Sequence, residues 1–535
     1  MRATLQVLEA LERESAGAVE AHVWPLWQRL AQDAFFIAKA SAAALAADVH
    51  AALGAGPRAE LRRVFASTVA QDECPIVRRA AVPALARLVG ACQDAPRVLA
   101  DELWPLFEAL AADAQDSVRL LVLDVALAFG DCWPPADMQH RLLPVLLRLA
   151  GDRSWRVRYV VAGGFPSILT RIVGRLSEGG EGVKGVEGDG GDGAVGVSSV
   201  PVPVPVTDTV PVHVTVTVSP TLGFDPLALF TGLLADTEPE VRTAGARQVA
   251  ATCAHFSQRD FEGRVLGVLR ELAEDRAVPV RAALALQLNP LSAIAGADLC
   301  ATALFPLYTR FFADESSQVR LNAVAKMDVV CRVLGLERLA QSILPAVVQL
   351  AQDRQWRVRE AVIEHLPTLV GHLGAAFYDQ HLGALCQRLL DDPVHAVRRA
   401  AAANVRALCE AFGLDWALWR IVQPALAGLG AAPCYLRRVG VAHLVATLLP
   451  CLRPAEPVHR DALLHHLLPA LQGLAADPVP NVRLVCARTA ALLAPFFPGA
   501  PELRKATAAM LLPLHDDADF DVQYYAKRAQ AVMEC

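Results

Sequence analysis

The sequence predicts an all-α protein, a right-handed α-solenoid of about 12 stacked helix pairs preceded by one N-terminal helix. Three observations lead to this fold class. The 535-residue chain is 54% hydrophobic and 20% charged but only 6% aromatic, which favours closely packed helices over a β-sandwich. A short template recurs along the chain. Each copy joins two amphipathic stretches, and stacked pairs of this kind bury a continuous core.

The template is clearest in five segments. In each, a proline is followed eight residues later by an aspartate, and five residues after the aspartate come a valine and an arginine. The segments are LWPLFEALAADAQDSVR (103–119), LLPVLLRLAGDRSWRVR (142–158), LFPLYTRFFADESSQVR (304–320), ILPAVVQLAQDRQWRVR (343–359) and LLPALQGLAADPVPNVR (467–483).

Twelve copies keep this register, about 40 residues apart except for one step of 84. The valine slot departs only at Ala38 and Arg437, and the arginine slot only at Lys39 and Gln523. Three residue types in register over twelve copies indicate a helical repeat array. The aspartate slot holds Asp33, Asp72, Asp113, Asp152, Asp236, Asp275, Asp314, Asp353, Asp392, Ala432, Asp477 and Asp517.

Each copy predicts two helices. The stretches before and after the aspartate, such as 343–353 and 357–374, carry apolar residues at i, i+3, i+4 and i+7. The aspartate suits an N-cap or an Asx-turn, and the proline should bend the first helix. The arginine can reach the aspartate of its own or the neighbouring turn, which would form a ladder of charge-assisted hydrogen bonds. This period and signature resemble HEAT repeats.

The step of 84 contains an insertion. Residues 175–224 are Gly-rich and acidic at first and then alternate Val with Pro or Thr. We expect a disordered low-complexity segment between N-terminal repeats at 1–174 and C-terminal repeats at 225–535. Two other interpretations stay open, one arm of a hairpin or an intron translated in frame. Residues 1–16 match a second helix without its first, so the array is expected to start mid-repeat.

Composition and motifs argue against several classes of function. The net charge of −6 does not suit a nucleic-acid binder, and no apolar run is long enough for a membrane span. The N-terminal acidic residues do not suit a signal peptide. The twelve cysteines form no CxxC pair and no zinc-type cluster, so we expect reduced thiols, no metal and no cofactor. Catalytic motifs are missing, so we expect no catalytic residues and no enzyme activity.

The slot three residues after the aspartate lies in the turn between the helices and often holds an aromatic residue. Two interpretations stay open for Trp155 and Trp356, which either dock a partner or fold back over their own repeats. Trp356, His395 and Tyr435 fall in successive repeats and would line a continuous strip. The slot reads Phe36, Pro75, Asp116, Trp155, Pro239, Val278, Ser317, Trp356, His395, Tyr435, Pro480 and Phe520.

Several segments carry a more specific resemblance. They are CPIVRRAAV (74–82), AQDSVRLL (114–121), RSWRVRYVVA (153–162), QVRLNAVAKMD (318–328), 341–374, HAVRRAAAANVRALCEAFGLDWA (395–417), PVPNVRLVCA (478–487) and DFDVQYYAKRA (519–529). These segments resemble the family of scaffolding A subunits of protein phosphatase 2A. The resemblance covers nearly the whole chain outside 175–224 and matches repeats four to fifteen of the family's fifteen.

The resemblance implies a non-catalytic scaffold. In that family the last five repeats bind the phosphatase catalytic subunit, and earlier repeats bind an exchangeable regulatory B-type subunit. The residues that it implies for catalytic-subunit binding are Trp356, Arg357, His395, Tyr435, Asn481 and Arg483. The residues that it implies for regulatory-subunit binding are Pro75, Arg78, Arg79, Asp116, Trp155 and Arg156. His395 departs from the family, which has a tyrosine in that turn.

The implied assembly is a heterotrimer rather than a homo-oligomer. We expect no nucleic acid and no membrane among its partners. The expected location is the cytoplasm, and the nucleus is left open as a second compartment. One rival is another HEAT-repeat adaptor, such as a nuclear transport receptor or a different phosphatase regulator. It would need acidic inner helices or a longer array. The second rival is an enzyme within a helical shell, which would need a catalytic motif that the sequence lacks.

Overall fold

A computed structural model describes residues 17–173, 224–325, 344–427 and 434–534. These residues form helices joined by turns, with no strand among them, so the predicted all-α class is confirmed. They fall into two compact units, residues 1–287 and 288–535. The predicted helix at 1–16 and the insertion, apart from Phe224, lie outside the described residues, and the predicted domain boundaries stay predictions.

The first unit contains helix pairs that we number as repeats 1 to 6. Their first helices contain the α-helical segments Trp24–Ala31, Ala55–Val64, Trp104–Ala111, Leu143–Ala150, Pro226–Leu234 and Leu266–Ala273. Their second helices are Phe36–Ala52, Pro75–Ala91, Asp116–Arg119 with Val122–Cys132, Trp155–Ile168, Pro239–Arg247 with Val249–Cys253, and Val278–Leu299. The last of these continues past the end of the unit.

The second unit contains repeats 7 to 12. Their first helices contain the α-helical segments Phe305–Phe312, Leu344–Leu350, Gly383–Leu390, Gln423–Ala427, Leu468–Ala475 and Pro501–Leu511. Their second helices are Ser317–Val324, Trp356–Leu373, His395–Phe412, Tyr435–Leu448, Pro480–Ala491 and Phe520–Glu534. The described residues also form short helices at Pro135–Asp137, Gln258–Asp260, Ala375–Phe377, Leu414–Ala417 and Pro457–Ala462.

Many first helices contain a π-helical turn just before the template proline. In repeat 3 the backbone N–H of Trp104 donates to the carbonyl oxygen of Leu99, five residues back, and Pro105 follows. The same turn occurs in repeats 6 and 9, where Gly267 and Ala384 stand at the proline position. The proline is therefore not the cause of the π-helical turn. At the place where the proline predicts a bend, the structure has a π-helical turn, which the proline alone does not predict.

The core lies between the two layers of helices in each unit. The template valines are buried throughout, as are the apolar stripe residues Val362, Ile363 and Leu366 of repeat 8. Ile343 and the side chains of Leu344 and Leu369 lie outside the described residues. The ten buried template valines are Val77, Val118, Val157, Val241, Val280, Val319, Val358, Val397, Val482 and Val522.

Repeats 4 and 5 pack directly on each other although the insertion separates them in sequence. Their second helices, Trp155–Ile168 and Pro239–Arg247, are in contact. The rings of Phe165 and Phe230 lie 4.9 Å apart between centroids. The stacking of helix pairs in the first unit therefore continues across the insertion.

One described stretch, Val278–Phe312, is long and apolar enough to cross a membrane by length and composition alone. Half of the most apolar 18 residues of this stretch are buried in the protein, and the core helix of a soluble protein has the same length and composition. Gly296, with φ of +76°, breaks the helix inside this stretch. The stretch thus joins the second helix of repeat 6 to the first helix of repeat 7, and it is weak evidence for a membrane segment.

Candidate protein-binding surface

The template aspartates form Asx-turns in the connections between paired helices, in every repeat except repeat 10, whose slot holds Ala432. Oδ1 of each of the eleven aspartates accepts the backbone N–H of the residue two positions on, at 2.8–2.9 Å. The second helix begins one residue later, at the variable slot. The aspartate therefore precedes the N-cap residue, so the Asx-turn interpretation is confirmed and the N-cap interpretation is wrong.

The template arginine joins neighbouring turns. Nε and Nη2 of Arg119 donate to both carboxylate oxygens of Asp152 in the next repeat, at 2.8 and 2.7 Å. Its Nη1 donates to the backbone carbonyl oxygen of Asp113 in its own turn, at 2.7 Å. The predicted ladder is confirmed, with the carboxylate supplied by the next repeat. The same three bonds are made by Arg78, Arg158, Arg242, Arg320, Arg359 and Arg483.

The ladder keeps its carboxylates ionised. Burial would raise the pKa of Asp113, but hydrogen bonds from Arg78 and from the backbone N–H of Gln115 outweigh burial and lower it. At Asp517 the hydrogen bond from Arg483 is the main cause of a lowered pKa. Burial is likewise outweighed, and the pKa lowered, at Asp72, Asp152, Asp236, Asp275 and Asp477.

In repeat 8, Trp356 and Arg357 open the second helix together. The exposed guanidinium of Arg357 lies 4.8 Å from the centroid of the Trp356 ring, a cation–π contact, and the tryptophan is half-buried. The half-buried ring, with Arg357 over it, leaves both interpretations of the tryptophan open. A flat aromatic and cationic surface suits a protein contact. The docking role stays a prediction.

His395 and Tyr435 open the second helices of repeats 9 and 10. Both are exposed, Tyr435 at 40%. Arg437, beside Tyr435, lies 3.2 Å from Asp391 in the turn that leads to His395, and the ladder joins that turn to the one before Trp356. The structure therefore brings the three turns together as predicted. We call Trp356, Arg357, His395 and Tyr435 the C-terminal strip.

The other two residues implied for catalytic-subunit binding differ from each other. Asn481 is exposed at the second position of its helix. Arg483 is a ladder arginine that binds Asp517 at 2.6 and 2.7 Å. Arg78, implied for the regulatory subunit, binds Asp113 in the same way. The structure thus shows that both arginines connect repeats, and a direct contact with a partner stays a prediction for each.

In the first unit, Trp155 is the most prominent of the residues implied for regulatory-subunit binding. Its side chain is 39% exposed, and its ring meets that of Tyr159 edge-on at 6.4 Å. Arg156 is exposed and lies 3.9 Å from the carboxylate of Asp116 in the preceding repeat, which also accepts a hydrogen bond from Ser154 at 2.8 Å. Trp155 therefore presents apolar area to solvent beside a linked pair of charges.

The remaining two residues of that set lie at the second helix of repeat 2. Pro75 is its first residue and is half-buried, and Arg79 is exposed one turn along the helix. Proline suits the first helical position because its missing N–H needs no partner there. Pro75 thus has a structural reason for its place, whereas the exposed guanidinium of Arg79 is accessible to another protein. The binding roles of both stay predictions.

Repeat 12 presents an aromatic surface that the resemblance does not assign. Phe520 opens the last second helix and is 85% exposed, and Tyr524 lies four residues on, at 59%. Residues four apart share a helix face, so the two side chains form one patch. The signal was present in the sequence, since Phe520 occupies the variable slot. Exposed aromatic area of this kind is typical of a protein contact.

Two further kinds of group in the part of the chain that the structure describes are potential metal ligands and cysteine thiols. In this part of the chain, no group of three or more His, Cys, Asp or Glu side chains could hold a metal. The ten described cysteines are free, and burial raises the pKa of Cys253 and of Cys486 to about 12, so these thiols stay protonated. The exposed groups of the turns described above are therefore aromatic and charged side chains rather than metal ligands or thiolates.

Comparisons with known proteins point to phosphatase regulators. The chain is 35% identical over 158 residues to a protein phosphatase PP2A regulatory subunit of Schizosaccharomyces pombe, a match that covers 29% of this chain and 26% of that protein. It is 27% identical over 328 residues to human serine/threonine-protein phosphatase 4 regulatory subunit 1, covering 56% and 33%. The chain thus spans about a quarter to a third of the curated relatives that it matches, and its homologues are phosphatase regulatory subunits.

Two further comparisons concern the family and the fold. The family model "PIK3R4-like, middle domain" matches residues 300–448, less than half of the chain. The solved structure of a Kap95:Nup1 complex matches with a TM-score of 0.62 at 12% identity, covering 99% of this chain and 64% of that one. Identity this low shows the fold alone. With the helix pairs described above, it confirms the predicted all-α solenoid of HEAT repeats.

Proposed function

We propose that this chain is a non-enzymatic scaffold that holds a serine/threonine phosphatase catalytic subunit on its C-terminal strip. The observation that carries the proposal is the Trp356–Arg357 pair, which stands beside exposed His395 and Tyr435 on neighbouring turns. Tryptophan, tyrosine and arginine dominate the energetics of protein interfaces. The names of the relatives supply the class of partner. We propose a cytoplasmic location for the complex, with the nucleus as a second candidate compartment.

We further propose that the N-terminal turns hold a regulatory B-type subunit, giving a heterotrimer. Exposed Trp155, Arg156 and Arg79 support this second surface, since they combine apolar area with charge in turns of the first unit. The scaffold would act by tethering. Two proteins bound to one chain meet at a raised effective concentration, so a weak contact between them is completed without new chemistry.

The type of catalytic subunit has two candidates. The stronger sequence identity, 35%, is to a regulatory subunit of phosphatase 2A, whereas the longer match, 328 residues, is to a regulatory subunit of phosphatase 4. The longer match is the specific observation that favours phosphatase 4 as a second candidate. The fold likeness to Kap95 carries no function, so a transport role has no comparable support.

The test is a titration of the purified chain with each of the two catalytic subunits. We expect saturable binding to at least one, with no phosphatase activity in the chain alone. Trp356→Ala should weaken that binding by about 2–4 kcal/mol, as truncation of an interface hot spot does. The thermal transition should barely move, because the ring is only half-buried.

Trp155→Ala is the matched control, since it removes the same side chain from the same slot in the first unit. It should leave the affinity for the catalytic subunit unchanged. Failure of both catalytic subunits to bind, or equal affinity in Trp356→Ala and the unmodified chain, would reject the proposal.

A further inference from the structure

A small pocket lies between the second helices of repeats 9 and 10. It has a volume of about 180 Å³ and adjoins the C-terminal strip, because His395 belongs to both. Four of the five residues on which the argument depends can carry positive charge. The residues are His395, Arg398 and Arg399 from the first helix, and Gly440 and His443 from the second.

Arg398 is a ladder arginine whose carboxylate is missing from the sequence. The next aspartate slot holds Ala432, and the segment GLGAAP at 428–433 contains no acidic residue. Nη1 of Arg398 donates to the backbone carbonyl oxygens of Asp392 and Pro393, at 2.6 and 2.9 Å, as in other repeats. Among the described residues, none forms an ion pair with Arg398, although the neighbouring ladder arginines Arg359 and Arg438 both do.

The missing carboxylate leaves an arginine edge suited to an oxyanion. In the ladder arginine Arg359, Nε and Nη2 donate to both carboxylate oxygens of Asp392. Arg398 has only 8% of its surface exposed, and no carboxylate among the described residues accepts from its Nε and Nη2. A guanidinium that is largely withdrawn from water without a counter-ion is costly. Its planar pair of N–H donors fits the two oxygens of a carboxylate or phosphate.

Two histidines line the pocket beside the arginines. The rings of His395 and His443 lie 6.5 Å apart. Burial and then the charges of His395, Arg398 and Arg488 lower the pKa of His443, so this imidazole is a neutral hydrogen-bonding group near pH 7. Two carboxylates in the turn before His395 are already paired, that of Asp391 with Arg437 at 3.2 Å and that of Asp392 with Arg359 at 2.7 Å.

Gly440 keeps the pocket open above the arginine. A Cβ atom built on Gly440 would lie 3.6 Å from the carbonyl oxygen of Leu390 and 3.9 Å from Cδ of Arg398, so a side chain at this position would take up space beside the arginine. An absent carboxylate, an absent side chain and converging arginine and histidine side chains thus occur at one place. The described residues there border a pocket with the volume of an oxyanion of a few atoms.

We propose that this pocket binds an oxyanion, a carboxylate or phosphate group, carried by the protein that docks on the C-terminal strip. The anion takes the place that an aspartate of the next repeat fills elsewhere in the ladder. The oxyanion site stands on the geometry alone. Its assignment to the docked protein rests on the proposed function, because His395 places the pocket at the edge of the strip.

The first experiment restores the missing carboxylate. Ala432→Asp should form the internal pair with Arg398, raise the melting temperature and occupy the pocket. Inorganic phosphate and acetate are titrated by calorimetry into the full chain at matched ionic strength, with chloride as the reference, to separate phosphate from carboxylate preference. We expect binding of at least one anion, weakened at least about tenfold in Ala432→Asp, since the internal aspartate competes for the same guanidinium.

Ala431→Asp is the matched control, as it adds the same charge one residue away and should keep anion affinity close to that of the unmodified chain. Equal weakening by both variants, or no binding of either anion to the unmodified chain, would overturn the oxyanion site. The oxyanion site would also be overturned if Ala432→Asp bound the anion as tightly as the unmodified chain.

A second arm titrates the same variants with the catalytic subunit. A loss of affinity of about tenfold or more in Ala432→Asp, but not in Ala431→Asp, supports an anion carried by the docked protein. Lost anion binding with unchanged affinity for the catalytic subunit would overturn that assignment. If the unmodified chain binds no catalytic subunit, the proposed function and that assignment fail together, whereas the anion titration still decides the oxyanion site.

Discussion

At the scale of single residues, the ladder arginine is the side chain that connects one repeat to the next. Arg119 is buried, and all three of its guanidinium nitrogens donate to groups of two neighbouring turns. Its removal leaves the Asp152 carboxylate without its charged partner. The cost of such a loss comes mainly from the group left unpaired.

We therefore predict that Arg119→Gln lowers the free energy of unfolding of the first unit by about 1–3 kcal/mol, the usual cost of leaving one buried partner unsatisfied. Urea unfolding followed by circular dichroism measures it. Arg63→Gln is the control, because Arg63 and its partner Glu60 form an exposed pair within one helix and should give no measurable change. Equal stability of Arg119→Gln and the unmodified chain would show that the ladder is not stabilising.

Single residues also show the limit of sequence reasoning. The register of the repeats predicts that the arginine pairs with an aspartate. Whether that aspartate belongs to the same repeat or to the next one depends on how the repeats stack, which the sequence does not show. The pocket at Arg398 could not be predicted for the same reason. The sequence shows that Ala432 replaces the template aspartate, yet nothing in the sequence places Gly440 and His443 beside Arg398.

At the scale of elements, each connection is held by a carboxylate that must stay ionised. The aspartate accepts hydrogen bonds from the backbone and from a basic side chain of the preceding repeat, and the pKa of Asp72, Asp113 and Asp152 is lowered as a result. A carboxylate whose folded pKa is below its unfolded value stabilises the fold above the unfolded pKa. That stability is lost as the pH falls through the folded value.

We accordingly predict that the free energy of unfolding is insensitive to these groups between about pH 5 and 7 and falls steeply below about pH 4, the ordinary pKa of aspartate. Denaturant titrations at four pH values spanning about 7 to 3 measure the slope. Asp152→Asn should start less stable and lose less on acidification, because one titrating group has been removed. A slope identical to that of the unmodified chain would contradict the assignment.

Elements were predictable where local chemistry decides them. The second helices begin at the variable slot, as at Trp356 and His395, because the Asx-turn before them is encoded by one aspartate. The π-helical turns were missed. They occur before Pro105 but also before Gly267, so the residue type at the proline position does not determine them.

At the scale of the whole molecule, the insertion interrupts the sequence without interrupting the stack. Arg158 binds both carboxylate oxygens of Asp236 at 2.6 and 2.8 Å, across 78 residues of sequence, with the geometry of the other ladder pairs. The ends of the insertion are thus held close together by repeats 4 and 5. Closing a long surface loop costs little, and its length changes that cost slowly.

We predict that deletion of residues 176–222 leaves helicity, melting temperature and affinity for the catalytic subunit close to those of the unmodified chain. Circular dichroism and the same binding titration measure these quantities. A deletion of equal length that cuts through repeats 8 and 9, residues 360–406, serves as the control and should abolish the fold. Failure of the 176–222 deletion to fold would show that the segment packs against the repeats.

The central claim, that the C-terminal strip seats a phosphatase catalytic subunit, is tested most directly by amide hydrogen exchange of the full chain with and without that subunit. The account predicts slower exchange in the complex at the turns around 353–358, 392–397 and 434–438. It predicts no change at the turns around 72–78, 113–118 and 152–157. Slowed exchange confined to those N-terminal turns, or no change anywhere when the catalytic subunit is saturating, would contradict it.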